Sequence, residues 1–260
     1  MIRTLFIIAG AALVLCAVTV GGALAIGGHD LQRNGWAWTF KDDDGESVRI
    51  ERLRDGEADD LGPQVTRTLA WTGGDALRVD SGIDVEYVQG DAATVVVTGP
   101  KALADRVRLD GDRLSLADGE ERVVIGWSRR HLSARAERDE LRVVVTAPAV
   151  ERFDMNGSQS LTISGYDRPR LAVDIAGSGE VTATGRTDAL SLDVSGSGEA
   201  ELADLAVRDA QVSVSGSGEA RIAATGEVSI DISGSGDVSL VGRPAKVTTS
   251  VSGSGDVNQE

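Results

Sequence analysis

Five carboxylates recur along the second half of the chain at nearly constant spacing. Glu180, Glu199, Glu219, Asp237 and Asp256 are separated by 19, 20, 18 and 19 residues. Each closes the same triplet: Gly177-Ser178-Gly179, Gly196-Ser197-Gly198, Gly216-Ser217-Gly218, Gly234-Ser235-Gly236 and Gly253-Ser254-Gly255. If the chain brings them into register, they form a column of oxygen ligands, and calcium is the cation that takes oxygen-only donors. Stacked at the strand spacing of about 4.8 Å, neighbouring carboxylates repel by about 1 kcal/mol in water and by more where solvent is thin. Such a column requires full solvation, splayed side chains or cations. No unit carries the nine-residue calcium repeat of some β-rolls. The serine hydroxyls between the glycines are suited to cap corner amides. The motif therefore reads first as a mechanical device: the glycines make a corner, and the acid keeps an edge wet and free of aggregation.

Other reactive residues are sparse. The two histidines, His29 and His131, lie outside the repeats, and the one cysteine, Cys16, sits in an apolar run. That set does not make a zinc site, and no nucleophile elbow accompanies His131. Every Gly-Ser-Gly lies between strands rather than before a helix, so it does not read as a phosphate cradle. Enzymes built on stacked strands need long loops that gather Asp, Arg, Lys or His into a cleft. Residues 171–260 contain no such insertion, and the expectation is that the protein is not an enzyme. A basic group, Arg129, Arg130, His131, Arg135 and Arg138, lies within a charged stretch that also holds Glu137, Asp139 and Glu140. It reads as a solvated loop, with an anionic glycan or headgroup as its functional alternative.

The repeat dictates the elements that position the acids. A period this short marks a solenoid whose units must stack to bury a face. Apolar residues alternate before each triplet (Leu190, Leu192, Val194; Val228, Ile230, Ile232) and after it (Val238, Leu240), the period of a strand with one face inward. The expected fold is all-β: a right-handed parallel β-helix of 18–20-residue turns over 150–260, about six turns, right-handed because parallel crossovers are. Leu171, Leu190, Val228 and Val247 should stack at one level. Ile175, Val194, Val214, Ile232 and Val251 should stack at another. A weaker copy, "DMNGSQSLTI", begins at Asp154. Upstream, 69–149 reads as an irregular β-rich cap segment and 29–68 as an acidic tether, since residues 41–60 hold nine acids and four bases. Within it, Trp36, Trp38 and Phe40 alternate, either as an aromatic belt at a membrane surface or as the packed face of a short strand.

The net charge of −15 opposes nucleic-acid binding, which needs a basic face. Residues 5–28 form an uncharged apolar run behind Arg3, long enough for a membrane helix. It serves as a signal anchor, or as a cleaved signal peptide with "ALA" at 23–25 as the processing site. Either use exports the acidic remainder, with the membrane as a partner through residues 5–28 and the domain on the periplasmic or cell-surface side.

"VDSGIDVEYVQGD" from Val79, "TVVVTGPKALADRVRLDGDRLSLA", "LRVVVTAP" and the stacked "SGSGDV" units together resemble the head GIN domain family of autotransporter-adhesin heads, over about residues 70–257. The resemblance implies an exported bacterial β-helical domain with no catalytic residues to carry over. No membrane barrel is expected after the repeats. The expected function is a non-enzymatic envelope module that presents its surface for adhesion to a protein or glycan. The alternatives are a calcium- or envelope-stress-responsive module and, behind it, a carbohydrate-active enzyme. An unpaired last strand, Val247–Val251, further predicts weak end-to-end association or docking of an envelope protein. Head-to-head contact that brings two copies of Asp256 together would make salt or calcium strengthen that association.

Overall fold

The structure, a computed structural model, describes residues 36–41, 47–52, 62–80, 82–127 and 132–260. The run 5–28, expected as a helix, lies outside the described residues, as do Arg129, Arg130 and His131. No helix among the described residues is long and apolar enough to cross a membrane. More than two thirds of the described residues are strand. Two compact units are present.

In the smaller unit, strands Trp36–Lys41 and Ser47–Arg52 pair antiparallel. Ser47–Arg52 runs parallel to Glu120–Trp127, which pairs antiparallel with Leu132–Ala136. These two strands, and the start of Gln64–Ala70 in the larger unit, thus form inside the stretch expected as a tether. "SVRIER" alternates apolar and polar residues, and that local period outweighs an acid-rich average composition. The charged excursion around Arg135 is likewise a pair of strands rather than a loop.

The larger unit is a β-solenoid of about five turns. Successive turns pair in parallel and in register: Asp174 with Asp193, Ser213 and Asp231 in sequence, and Glu180 with Glu199, Glu219 and Asp237. Six corners from Gly157 to Gly253 bound five full turns, one fewer than a count of the motifs suggests. Both expected inner columns form. Leu171, Leu190 and Val228 are buried at one level; Ile175, Val194, Val214 and Ile232 are buried at the other. Val247 and Val251 continue these columns on the last turn but stay exposed.

The stack begins earlier than residue 150. Strands Ala76–Asp80 and Val85–Gln89 pair in parallel with Arg152–Gly157 and Ser160–Gly177 and so form a first turn. The chain then leaves the stack and returns at Arg152. This detour extends the sheet with strands Thr94–Pro100 and Arg142–Ala147 on one side, where Gln64–Ala70, from ahead of the first turn, pairs with Thr94–Pro100, and with Arg113–Leu116 and Val107–Asp110 on the other. A single helical turn, Lys101–Ala104, buries Leu103 and Ala104. The irregular segment is therefore partly solenoid. Its first turn is hidden because its corner reads "DSGIDV" instead of Gly-Ser-Gly-acid.

Candidate functional site: the corner edge and the axial groove

The corner is built by backbone. At Gly216 φ is +118°, and a Cβ there would lie 2.4 Å from the Gly196 carbonyl oxygen of the turn beneath. Only glycine allows both that φ and that approach. The second glycine faces the core: a Cβ at Gly198 would lie 2.6 Å from Ile175 Cγ2. Between them, Ser217 N–H donates to Gly196 O at 2.8 Å and Glu219 N–H donates to Gly198 O at 3.0 Å. The corner amides are thus held by carbonyls of the preceding turn, not by the serine hydroxyls expected in that role.

The structure brings Glu180, Glu199, Glu219, Asp237 and Asp256 into one column, with all five side chains exposed. Asp84 and Ser160 extend it: Asp84 Oδ1 accepts the Ser160 N–H at 2.8 Å, and Asp237 Oδ1 accepts the Asp256 N–H at 2.9 Å. These carboxylates cap main-chain donors of the next turn, which uses acid oxygens without a cation. Among the described residues, no three His, Cys, Asp or Glu side chains gather in a way that could hold a metal ion.

A second acid column flanks the corner on its other side. Asp154, Asp174 and Asp193 stack in register, and Ser213, Asp231 and Ser250 continue them. Burial pushes the Asp174 carboxyl above the usual aspartate range, and the neighbouring charges of Asp154 and Asp193 push the same way. Asp154 is relieved by Arg78, whose Nε lies 3.2 Å from its Oδ2. Three of the five full copies display this column in sequence, as the Asp of "DIAGSG", "DVSGSG" and "DISGSG", and the other two carry serine there.

A groove of about 820 Å³ runs along the solenoid axis, past Leu171, Leu190 and Val228. It touches every turn from Asp75 to Thr248, seven levels, or about 29 Å at the strand spacing. Ala172, Ser191, Gln211, Ser229 and Thr248 occupy one register column along it. Charges at its two ends pair with each other: Arg152 with Asp75 at 3.2 Å and Lys246 with Glu227 at 3.6 Å. Asp209, on the wall, accepts the Glu227 N–H at 2.9 Å. That bond, and Arg208 beside it, hold its carboxyl below the usual range. Between those ends Arg170 and Asp209 bring charges of opposite sign, and Ser191 and Gln211 bring a hydroxyl and an amide.

Residues 75–244 match the family described as "Putative auto-transporter adhesin, head GIN domain". The chain belongs to this family. Among solved structures, a head GIN-like fold is shared with one described as a putative adhesin from Bacteroides fragilis, at 16% identity and TM-score 0.58, over 76% of this chain and 97% of that one. A structure described as a putative lipid binding protein from Parabacteroides distasonis aligns at 21% identity and TM-score 0.46, over 76% and 97% of the two chains. A putative adhesin from the same organism aligns at 17% identity and TM-score 0.41, over 76% and 98%. No curated protein matches. The head GIN assignment agrees with the resemblance carried by "GIDVEYVQG" and the Gly-Ser-Gly repeats, and it supports an adhesin-like role.

Proposed function

We propose that this head GIN chain is an exported module of the bacterial cell envelope, anchored by residues 5–28, that holds an extended neutral polymer along its axial groove without turning it over. A glycan strand is the polymer that the groove suits best. The observation that carries this reading is the groove's register: one column returns at every turn from Ala172 to Thr248, and it is polar from Ser191 onward. A linear polymer with its own short repeat meets the same contacts at each step. The middle levels carry no excess of either charge, since Arg170 and Asp209 are opposite in sign, and this favours hydroxyl-rich ligands over strongly charged ones, whose burial would leave charges uncompensated. The family's description as an adhesin head supports binding as the outcome. Right-handed winding, the default for parallel crossovers, completes the reading of the fold.

The test is binding of the full chain, in detergent micelles, to an array of envelope glycans. Filling the groove with Ser191→Trp plus Ser229→Trp should weaken retention at least about tenfold, a loss of about 1.4 kcal/mol. Thr182→Trp, on a different side of the coil, should leave it unchanged. Equal binding by both variants, or release of shortened glycan, would overturn the reading.

A further inference from the structure

Among the described residues, strand Lys246–Gly253 pairs on one side only, with Glu227–Gly234. All eight of its residues are exposed. Val247 and Val251, at 38% and 46%, are the exposed large hydrophobic residues of the described chain. They stand in the inner columns that are buried at every regular turn beneath them.

The phase of the free edge can be read from one bond. Lys246 N–H donates to Gly226 O at 3.3 Å, so Lys246, and by alternation Thr248, Ser250 and Ser252, point their main-chain groups back into the stack. The N–H and C=O of Val247, Thr249 and Val251 then lie on the open side. The residues with free main-chain groups are thus the ones whose positions face inward.

This pattern is self-complementary. We propose that the strand pairs antiparallel with the same strand of a second copy, about a two-fold axis through Thr249. Directly opposed residues in an antiparallel pair lie on the same face. Thr249 then opposes its own copy, and Val247 opposes Val251 in both directions. Every inner position meets an inner position, and Thr248 opposes Ser250 on the outer face. The only charge in the strand, Lys246, opposes Ser252. A two-fold interface must match itself in this way, and a shift of the axis by one residue leaves a valine unmatched.

The same axis carries the Gly253–Asp256 corner of one chain toward the Arg243–Lys246 corner of the other. Acid therefore approaches base, and Asp256 does not meet its own copy. Salt should weaken this contact, whereas it would strengthen one in which two acid columns met. The proposal concerns the end of the stack and does not depend on the groove.

Cysteine cross-linking of the full chain in detergent micelles reads the register directly, with Cys16→Ser as background. Opposed residues of a hydrogen-bonded antiparallel pair have Cα atoms about 5.5 Å apart, within disulfide range. Under mild oxidation, Thr249→Cys should form a dimer about tenfold faster than Ser252→Cys, whose copies lie several residues apart in this register. Val247→Cys and Val251→Cys should each cross-link poorly alone and well when mixed. Thr249→Lys, a charge at the edge, should abolish the concentration-dependent rise in mass seen by density-matched sedimentation. No dimer from Thr249→Cys, equal rates at 249 and 252, or a mixture no better than its components would each overturn the proposal. So would a wild-type mass that stays monomeric at every concentration.

Discussion

The two ends of the solenoid solve the same problem differently. At the Ala76–Asp80 end the sheet runs on into the strands of the detour, which bring Leu103, Val107 and Leu114 into the core beside Trp71 from the preceding segment. Three aromatic rings reinforce it. Tyr87 and Phe153 meet edge-to-face at 4.9 Å, and Phe153 and Tyr166 do so at 6.4 Å. Both buried hydroxyls are satisfied: Tyr87 Oη donates to Ala147 O at 2.8 Å, and Tyr166 Oη donates to Arg170 O. From residue 171 onward the core is Val, Ile, Leu and Ala alone, and among the described residues strand Lys246–Gly253 pairs on one side only. A regular stack thus needs no large side chains between turns, because each turn is the lid of the one before. Bulk and irregularity appear where the repeat stops covering itself.

Phe153→Ala is the hardest blow to the closed end. It removes the ring that links Tyr87 to Tyr166 and should cost about 3–5 kcal/mol, measured by chemical denaturation. A loss below about 1 kcal/mol would mean that the aromatic cluster is not what closes this end.

The regular region should break at its corners rather than in its core. Gly216→Ala places a Cβ 2.4 Å from Gly196 O at φ +118°, and strain plus overpacking should cost about 2–5 kcal/mol. Gly165→Ala, at φ +64° with open space around it, should cost only about 1 kcal/mol. Equal losses at both positions, again by denaturation, would remove the special role assigned to the stacked corner.

The smallest effect separates the second acid column from mere solubility. The Asp174 carboxyl is raised in the folded state by burial and by Asp154 and Asp193. Its penalty is absent below the unfolded pKa of aspartate and grows as pH rises through the folded value. Asp174→Asn should therefore stabilise the protein at neutral pH, less so in high salt, and should lose that advantage as pH falls below about 4. A stability difference independent of pH would show that the column is not strained.

Much of this was legible from spacing. Alternation around the triplets specifies which residues face inward, and Ile175, Val194, Val214 and Ile232 stack as the pattern requires. The first turn was not legible, because the detour puts Leu77 and its partner Phe153 four periods apart and the corner has lost its first glycine. The smaller sheet was hidden for a related reason: Ser47–Arg52 finds its parallel partner about seventy residues away, and a local period says nothing about distant partners. The second acid column is visible in three of the five full copies, but the acid after the glycines is present in all five and masks it. The groove had no sequence signal at all, since serine, alanine and glutamine on an outer position look like ordinary surface.

The detour also sets how the ends are tied together in the unfolded chain. Adjacent regular turns bring together residues 18 to 20 apart, as Asp174 and Asp193 show, whereas Leu77 must find Phe153, 76 residues on. A fourfold longer loop is two doublings, and its closure costs about 1.2 kcal/mol more than one repeat step. The aromatic contacts sit at the junction that bears this entropic burden, and the glycine corners at junctions that do not.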